Sequence, residues 1–252
     1  MRTVRDSYLI FGRYLRQTLR SKVVVVFGVL QPLLYLVLFG PLLTPLTGVR
    51  GFGGDPWRVL VPGILVQLAL FGAGFAGFGL IADLRSGVVE RLRVTPVSRT
   101  ALLLGRVMRD TVVLAVQAVM LLAAGLALGL RAPAAGLLIG LAFVVGLALS
   151  VASLSYVLAM ATRSEDAFAP LLSTVTLPLM LLSGVLLPMT MAPGWLEAVS
   201  RLTPFRYVVD AVRAAFGGDY AGAAVLRGAA VTVALLAVSV ALGARRFRRE
   251  NA

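Results

Sequence analysis

The sequence predicts an all-α integral membrane protein, one transmembrane domain over residues 1–252. Three observations lead there. The chain is 59% hydrophobic and only 14% charged, beyond what a soluble domain of this size carries. Its apolar residues are gathered into long uncharged runs, each near the ~20 residues that a helix needs to cross a ~30 Å hydrocarbon core. Backbone N–H and C=O groups in lipid must be satisfied within the segment, so these runs should be helices.

Residues 1–22 come first and predict an amphipathic helix. Val4, Tyr8, Phe11, Leu15 and Leu19 share one face, with Arg2, Arg5, Asp6, Arg13, Arg16 and Arg20 opposite. Such a helix suits the membrane surface, apolar side down; the alternative is packing against another protein domain. The first span is expected at 23–43, where Gln31-Pro32 predicts a kink. It is too long for a cleavable signal core of ~7–15 residues. A second span follows at 59–82, with Gly72, Gly74, Gly77 and Gly79 in quick succession. Small residues so spaced admit close helix packing, with a helix break as the other reading.

Residues 83–110 form the longest charged insert. Leu84, Val88 and Leu92 fall at i, i+4 and i+8, while Asp83 and Glu90 share another face. Thr95-Pro96 should stop that helix, and Ser98 should cap the next one. The expected result is a cytoplasmic helix, a proline break and a return helix; a solvated loop anchoring lipid is the alternative. Spans three to five are expected at 111–130, 136–161 and 168–188. Gly125 with Gly129, and Gly136 with Gly140, form small-xxx-small pairs. A helical hairpin is expected at 189–221, before a last span at 222–244. In it Phe205, Val208, Val209, Val212 and Phe216 make an apolar stripe. Arg206, Asp210 and Arg213 make a polar stripe suited to ion pairing. Thr203 before Pro204 marks an N-cap and a proline at the first helical position.

Net charge is +13. The basic residues flank apolar spans instead of forming one solvated domain, so the charge indicates topology and lipid headgroups, not nucleic acid. With the N-terminus inside, seventeen Lys and Arg fall on inner segments and seven on outer ones, which places both termini in the cytoplasm. There is no Cys and no His, which excludes disulfides, thiolate chemistry, imidazole bases and Cys/His metal sites. No G-x-x-x-x-G-K-[ST] loop is present, and the one Lys, Lys22, lies outside any such motif. No carboxylate falls inside the expected spans, which argues against ion-coupled transport and intramembrane catalysis. No cofactor or metal is expected. A membrane pump without a nucleotide site or coupling carboxylate draws its energy from elsewhere, most simply a partner ATPase. Polar span residues, among them Gln67, Gln117, Ser173 and Thr176, are candidates for a substrate path. Their ordinary role is interhelical hydrogen bonding, worth ~0.6 kcal/mol each.

The run Glu90-Arg-Leu-Arg-Val-Thr-Pro-Val-Ser-Arg99, followed by Leu102-Leu-Leu-Gly105 and Gln117, resembles the cytoplasmic loop of type-2 ABC exporter permeases. The likeness is closest to daunorubicin-resistance-type drug-efflux permeases. It continues through Leu182-Ser-Gly-Val-Leu-Leu-Pro188, Pro193-Gly-Trp195 and Thr203-Pro-Phe-Arg-Tyr-Val-Val-Asp-Ala-Val-Arg213. The resemblance implies six spans, a dimer (here most simply a homodimer) and two copies of a separate ATP-binding, ATP-hydrolysing subunit. It implies that residues 1–22 are an interface helix and 189–221 an external hairpin. It also makes the region of Asp83, Leu84, Val88, Glu90, Arg91, Leu92, Arg93 and Pro96 a coupling helix seated on the ATPase. The expected activity is export of a lipophilic or amphipathic, drug-like solute across the cell membrane. A lipid or lipid-linked glycan is the alternative cargo, and a non-transporting scaffold the further one.

Overall fold

The computed structural model describes residues 2–20, 22–43, 55–88, 99–186 and 188–249. The described elements are helical, with no strand among them. In chain order they are α1 (Arg2–Arg20), α2 (Lys22–Leu43), α3 (Trp57–Gly74), α4 (Ala76–Arg85) and α5 (Arg99–Ala127). Then come α6 (Ala134–Thr162), α7 (Glu165–Leu182), α8 (Gly194–Ser200), α9 (Pro204–Phe216) and α10 (Ala223–Arg249). Among the described residues, five stretches are long and apolar enough to cross a membrane: Trp57–Arg85, Ala101–Ala127, Ala134–Thr162, Glu165–Leu182 and Ala223–Gly243. Helix α2 adds 22 residues, about 33 Å of rise, and is uninterrupted across Pro32 and Pro41. The protein is an all-α, multi-pass membrane protein.

Helix α6 is the central post. It packs against α3, α4, α5, α9 and α10, and its Val144, Leu147, Ala148, Ala152 and Tyr156 are almost fully buried. Helix α9 is wedged among α3, α6 and α10, with Val208, Val209, Val212 and Phe216 at 0% exposure. The close approach of α9 depends on Gly136, since a Cβ there would run into the Ala215 carbonyl. By contrast, α7 and α10 leave most of their apolar surface uncovered.

The second span is two helices, not one. The α-helical ladder is interrupted at Phe75, so both the packing and the break read from its glycines are present. Phe78 N–H turns to the Phe75 carbonyl at 3.1 Å, which frees the Gly74 carbonyl and the Gly77 N–H. The Ser155 hydroxyl of α6 serves both, donating to Gly74 O and accepting from Gly77 N at 2.9 Å. A side chain at Gly77 would strike Phe168 and the Ser155 carbonyl, so the joint can lie flush against α6.

Several sequence expectations are corrected. The return helix expected after Ser98 and the third span are one helix: α5 runs continuously from Arg99, because Leu102, Leu103 and Val107 bury against the core and carry the apolar face past the charged residues. Asp110, expected outside the membrane segment, lies within this helix. Leu84 and Val88 do not share one helix: α4 ends at Arg85, and Gly87 takes the left-handed conformation (φ 70°). A new helical segment starts at Val88. Thr203 is the N-cap residue of α9 and Pro204 its first helical residue, as expected, but the Thr203 hydroxyl donates to the Ser200 carbonyl at 2.8 Å and does not bond the helix's own N–H groups. The fifth span ends at Leu182, short of 188, with Gly184 left-handed just beyond (φ 73°).

Candidate functional site: a polar clamp at one end and a cavity beside it

Helix α1 turns two different faces outward and inward. Ser7, Ile10, Tyr14 and Thr18 are buried against α5, while Tyr8 and Leu19 of the apolar stripe stay exposed at 67% and 63%. The protein-facing stripe is therefore half polar, and the oily stripe is free to meet lipid.

Tyr14 enters a clamp that joins three helices. Its hydroxyl donates to Asp83 Oδ2 at 2.9 Å. Arg106 of α5 donates to the same carboxylate at 2.6 Å and to the Tyr14 hydroxyl oxygen at 2.6 Å. The Arg106 guanidinium also lies 4.7 Å from the centre of the Tyr14 ring, within cation–π range. The Arg106 side chain is 5% exposed and Asp83 is 20% exposed, so this pair is shielded from solvent. Burial pushes the Tyr14 hydroxyl above its ordinary range, partly opposed by Arg106. The group therefore stays protonated and donating.

A second relay runs beside the first. Arg109 meets Asp110 Oδ1 at 3.0 Å, and the Tyr156 hydroxyl of α6 donates to Asp110 Oδ2. Arg109 also donates to Thr18 at 3.4 Å. Together the two relays tie α1, α4, α5 and α6 at one end of the molecule. The exposed Arg85–Glu165 pair, at 3.5 Å, places the start of α7 at that end too. Arg58 and the Arg131 carbonyl, 2.8 Å apart, mark the other end.

Beside the relays lies a cavity of about 350 Å³ between α2, α3, α4 and α5. Gln67, Gln117, Arg109 and Asp110 line it with Tyr35 and Phe71. Gln67, Asp110 and Gln117 are each at least nine-tenths buried. Ser173 and Thr176 are elsewhere, against Leu70 and Leu172 on the α7 side of α3. Ser173 donates to the Ala169 carbonyl of its own helix at 2.9 Å. The four candidate path residues thus form one pair at the cavity and one pair apart from it.

Of the candidate coupling residues, Asp83 sits in the clamp, Leu84 packs against the core and Val88 opens the next segment. Glu90, Arg91, Leu92, Arg93 and Pro96 lie outside the described residues.

The polar stripe of the hairpin departs from simple ion pairing. Arg206 does meet Asp210 at 3.6 Å, but it also reaches Glu197 of α8 at 3.4 Å. Arg213 instead donates to backbone carbonyls, of Gly184 at 2.8 Å and of Val59 and Val185 at 3.3 Å. Its charge is spent on joining α9 to the start of α3 and the turn after α7. Desolvation lowers its pKa to about 10, with Asp210 opposing, so it remains charged at neutral pH. Hydrogen bonds from Arg201 and then Arg206 hold the Glu197 carboxyl below its ordinary range.

Sequence reasoning missed Tyr14, Arg106, Asp110, Tyr156 and Glu197 as partners. Tyr14 has a local signal, since Ser7, Ile10, Tyr14 and Thr18 repeat at helical spacing. Arg106, Arg109 and Asp110 carry no local signal of partnership: in sequence they read as the charged residues of a return helix leading into the third span.

Fold and site together define a multi-pass, all-α membrane protein whose helices are tied at one end by buried polar relays beside an internal cavity. Residues 6–216 match the ABC-2 type transporter family, and the chain belongs to that family of transport permeases. It is 27% identical over 213 residues to the transport permease named ycf38 of Cyanophora paradoxa, covering 83% of this chain and 73% of that one. It is 26% identical over 234 residues to the daunorubicin resistance ABC transporter permease protein DrrB1 of Streptomyces coeruleorubidus, covering 89% and 79%. It is 26% identical over 249 residues to a doxorubicin resistance ABC transporter permease protein, DrrC, of Mycobacterium tuberculosis, covering 96% and 89%.

Proposed function

We propose that the chain is the membrane subunit of an ATP-driven exporter, powered by two copies of a separate ATPase and paired with a second permease copy. It has six spans, α2 being the first, and both termini in the cytoplasm. The cargo is a lipophilic or amphipathic solute of the drug or antibiotic kind, moved outward. ATP is bound by the partner, and this chain holds no cofactor.

The observation that carries this reading is the clamp of Tyr14, Asp83 and Arg106 in a chain of this family. It grips both helical ends that flank residues 89–98 and fastens them to α1. A push on that segment would reach the inner ends of the second and third spans as one unit. A buried, hydrogen-bonded ion pair has two discrete states, made or broken, and such an element can bias a two-state equilibrium.

The test is co-purification with an ABC ATPase and ATP-dependent efflux from vesicles holding both chains. Charge reversal of Glu90 and Arg91 is expected to weaken ATPase binding or to leave ATP turnover without export. Normal export by that variant refutes the coupling assignment.

A further inference from the structure

We infer that the cavity between α2, α3, α4 and α5 binds an uncharged amphipathic molecule with a flat apolar body and hydrogen-bonding groups along its length. The exporter reading makes such a molecule the cargo; the binding site itself stands on the cavity alone.

Size comes first. About 350 Å³ falls in the range of small-molecule pockets, which begin near ~300 Å³. Gln31 and Phe75 line the cavity and are exposed, so they form its mouth. Both lie in segments of the bilayer-spanning region, and a guest enters from the lipid, not from bulk water.

The walls set the chemistry. Tyr35, Phe71 and Phe75 supply aromatic surface, with the Phe71 and Phe75 rings 6.2 Å apart and tilted at 35° to one another. A flat apolar body gains most against such rings. Gln31, Gln67 and Gln117 each bring an amide, able to donate and to accept. On α5, Gln117 is eight residues beyond Arg109, about 12 Å along the axis. Polar groups are thus distributed along the bore. An acyl chain of a membrane lipid would meet buried amides with nothing to offer them.

Two of these polar residues have capacity to spare. Gln67 Oε1 and Arg109 Nε are both buried without a hydrogen-bond partner. Burying such atoms unpaired is costly, and native proteins rarely do it without a function. A hydroxyl or amide donor would satisfy Gln67, and a carbonyl or ether acceptor would satisfy Arg109.

Charge excludes other guests. Arg109 is paired with Asp110 at 3.0 Å, and Asp110 also holds Tyr156, so the cavity wall has no net charge to offer. A permanently charged guest would be desolvated there without a counter-ion.

The experiment uses the full-length chain in phosphatidylcholine nanodiscs, with no ATPase, and measures binding of the fluorophore 4-amino-1,8-naphthalimide after subtraction of empty discs. This dye is uncharged and planar, with amino and imide N–H groups to donate to Gln67 and carbonyls to accept from Arg109. Saturable binding is expected. Gln67→Leu is expected to weaken it about tenfold while leaving the unfolding temperature unchanged or higher, because the unpaired acceptor is gone. Were Gln67 merely structural, that temperature would fall. Gly79→Leu is expected to abolish binding: the nearest atom to a Cβ at Gly79 is Arg109 Nη2 at 3.9 Å, so the side chain fits and fills the cavity. Leu138→Ala, on an exposed part of α6, is the control. Ethidium, permanently cationic, is expected to bind at least tenfold more weakly.

Wild-type binding of the naphthalimide in both the Gln67 and Gly79 variants overturns the site. Equal binding of ethidium overturns the uncharged class. Intact dye binding without ATP-driven export once the ATPase is added refutes the exporter reading and leaves the site standing.

Discussion

Replacing Asp83 with leucine strands a guanidinium. Arg106 is 5% exposed, and its close partners are the Asp83 carboxylate and the Tyr14 hydroxyl. Removing one member of a buried pair typically costs ~3–5 kcal/mol, because the other charge is left uncompensated. Asp83 is 20% exposed, which lets water reach the site and lowers the expectation to about 2–4 kcal/mol. For a chain of this size each kcal/mol moves the unfolding midpoint by ~2–4 °C, so a fall of roughly 5–15 °C is expected. The triple variant Tyr14→Phe, Asp83→Leu, Arg106→Met keeps the volume and removes the charges together. It is expected to recover most of the loss, since buried ion pairs are often replaceable by packed apolar groups. Its export, however, should stay impaired, because the made-or-broken contact is gone. The assay is thermal unfolding in detergent of the single and triple variants, alongside vesicle efflux with the ATPase. A single variant as stable as the wild type refutes the energetic reasoning. A triple variant that exports normally refutes the clamp's role in transmission.

Other outcomes follow from the same structure. Arg213→Met is expected to lower stability by about 2–4 kcal/mol, because buried carbonyls at Val59, Gly184 and Val185 lose a charged donor; denaturant titration checks it. Arg213→Lys should rescue little, since one ammonium cannot span that fork. Ser155→Ala is expected to cost about 1–3 kcal/mol by leaving the Gly74 carbonyl and Gly77 N–H unserved, and hydrogen exchange should speed up at Gly77. Gly136→Leu should prevent α9 from docking and yield little folded protein on size exclusion. Gly194→Ala, where nothing lies within 4 Å, should be silent. Glu197 has a folded-state pKa below its unfolded value, so its contribution is present above the unfolded value. That contribution is lost as pH falls through the lower folded one. Stability measured across acid pH should therefore decline less steeply in Glu197→Gln than in the wild type.

Runs of apolar residues are legible because lipid demands them, and each expected span is helical, the second as two helices joined at Phe75. The apolar stripe of α9 was equally plain, since Phe205, Val208, Val209, Val212 and Phe216 repeat at helical spacing and are all buried. Partners were not legible. Arg213 has the spacing of an ion-pair residue, but its mates are carbonyls more than 25 positions away in sequence, and carbonyls carry no sequence signal. The return helix after Ser98 is legible, but Arg106, Arg109 and Asp110 read as residues of a charged insert until Tyr14, Asp83 and Tyr156 are seen neutralising or bonding them. Likewise Gln67 and Gln117 separated from Ser173 and Thr176 only once α3 was seen to stand between them.

The interruption at Phe75 leaves a span made of two rods and a hinge pin, the pin being one serine hydroxyl. The rod that starts at Trp57 is moored through the Val59 carbonyl to Arg213, and the rod that ends at Arg85 through Asp83 to α1 and α5. Torque applied at the Asp83 end would turn that rod against the one held by Arg213. The wall of the cavity that carries Phe71 on one rod and Gly79 on the other changes shape with that angle, without any helix having to melt.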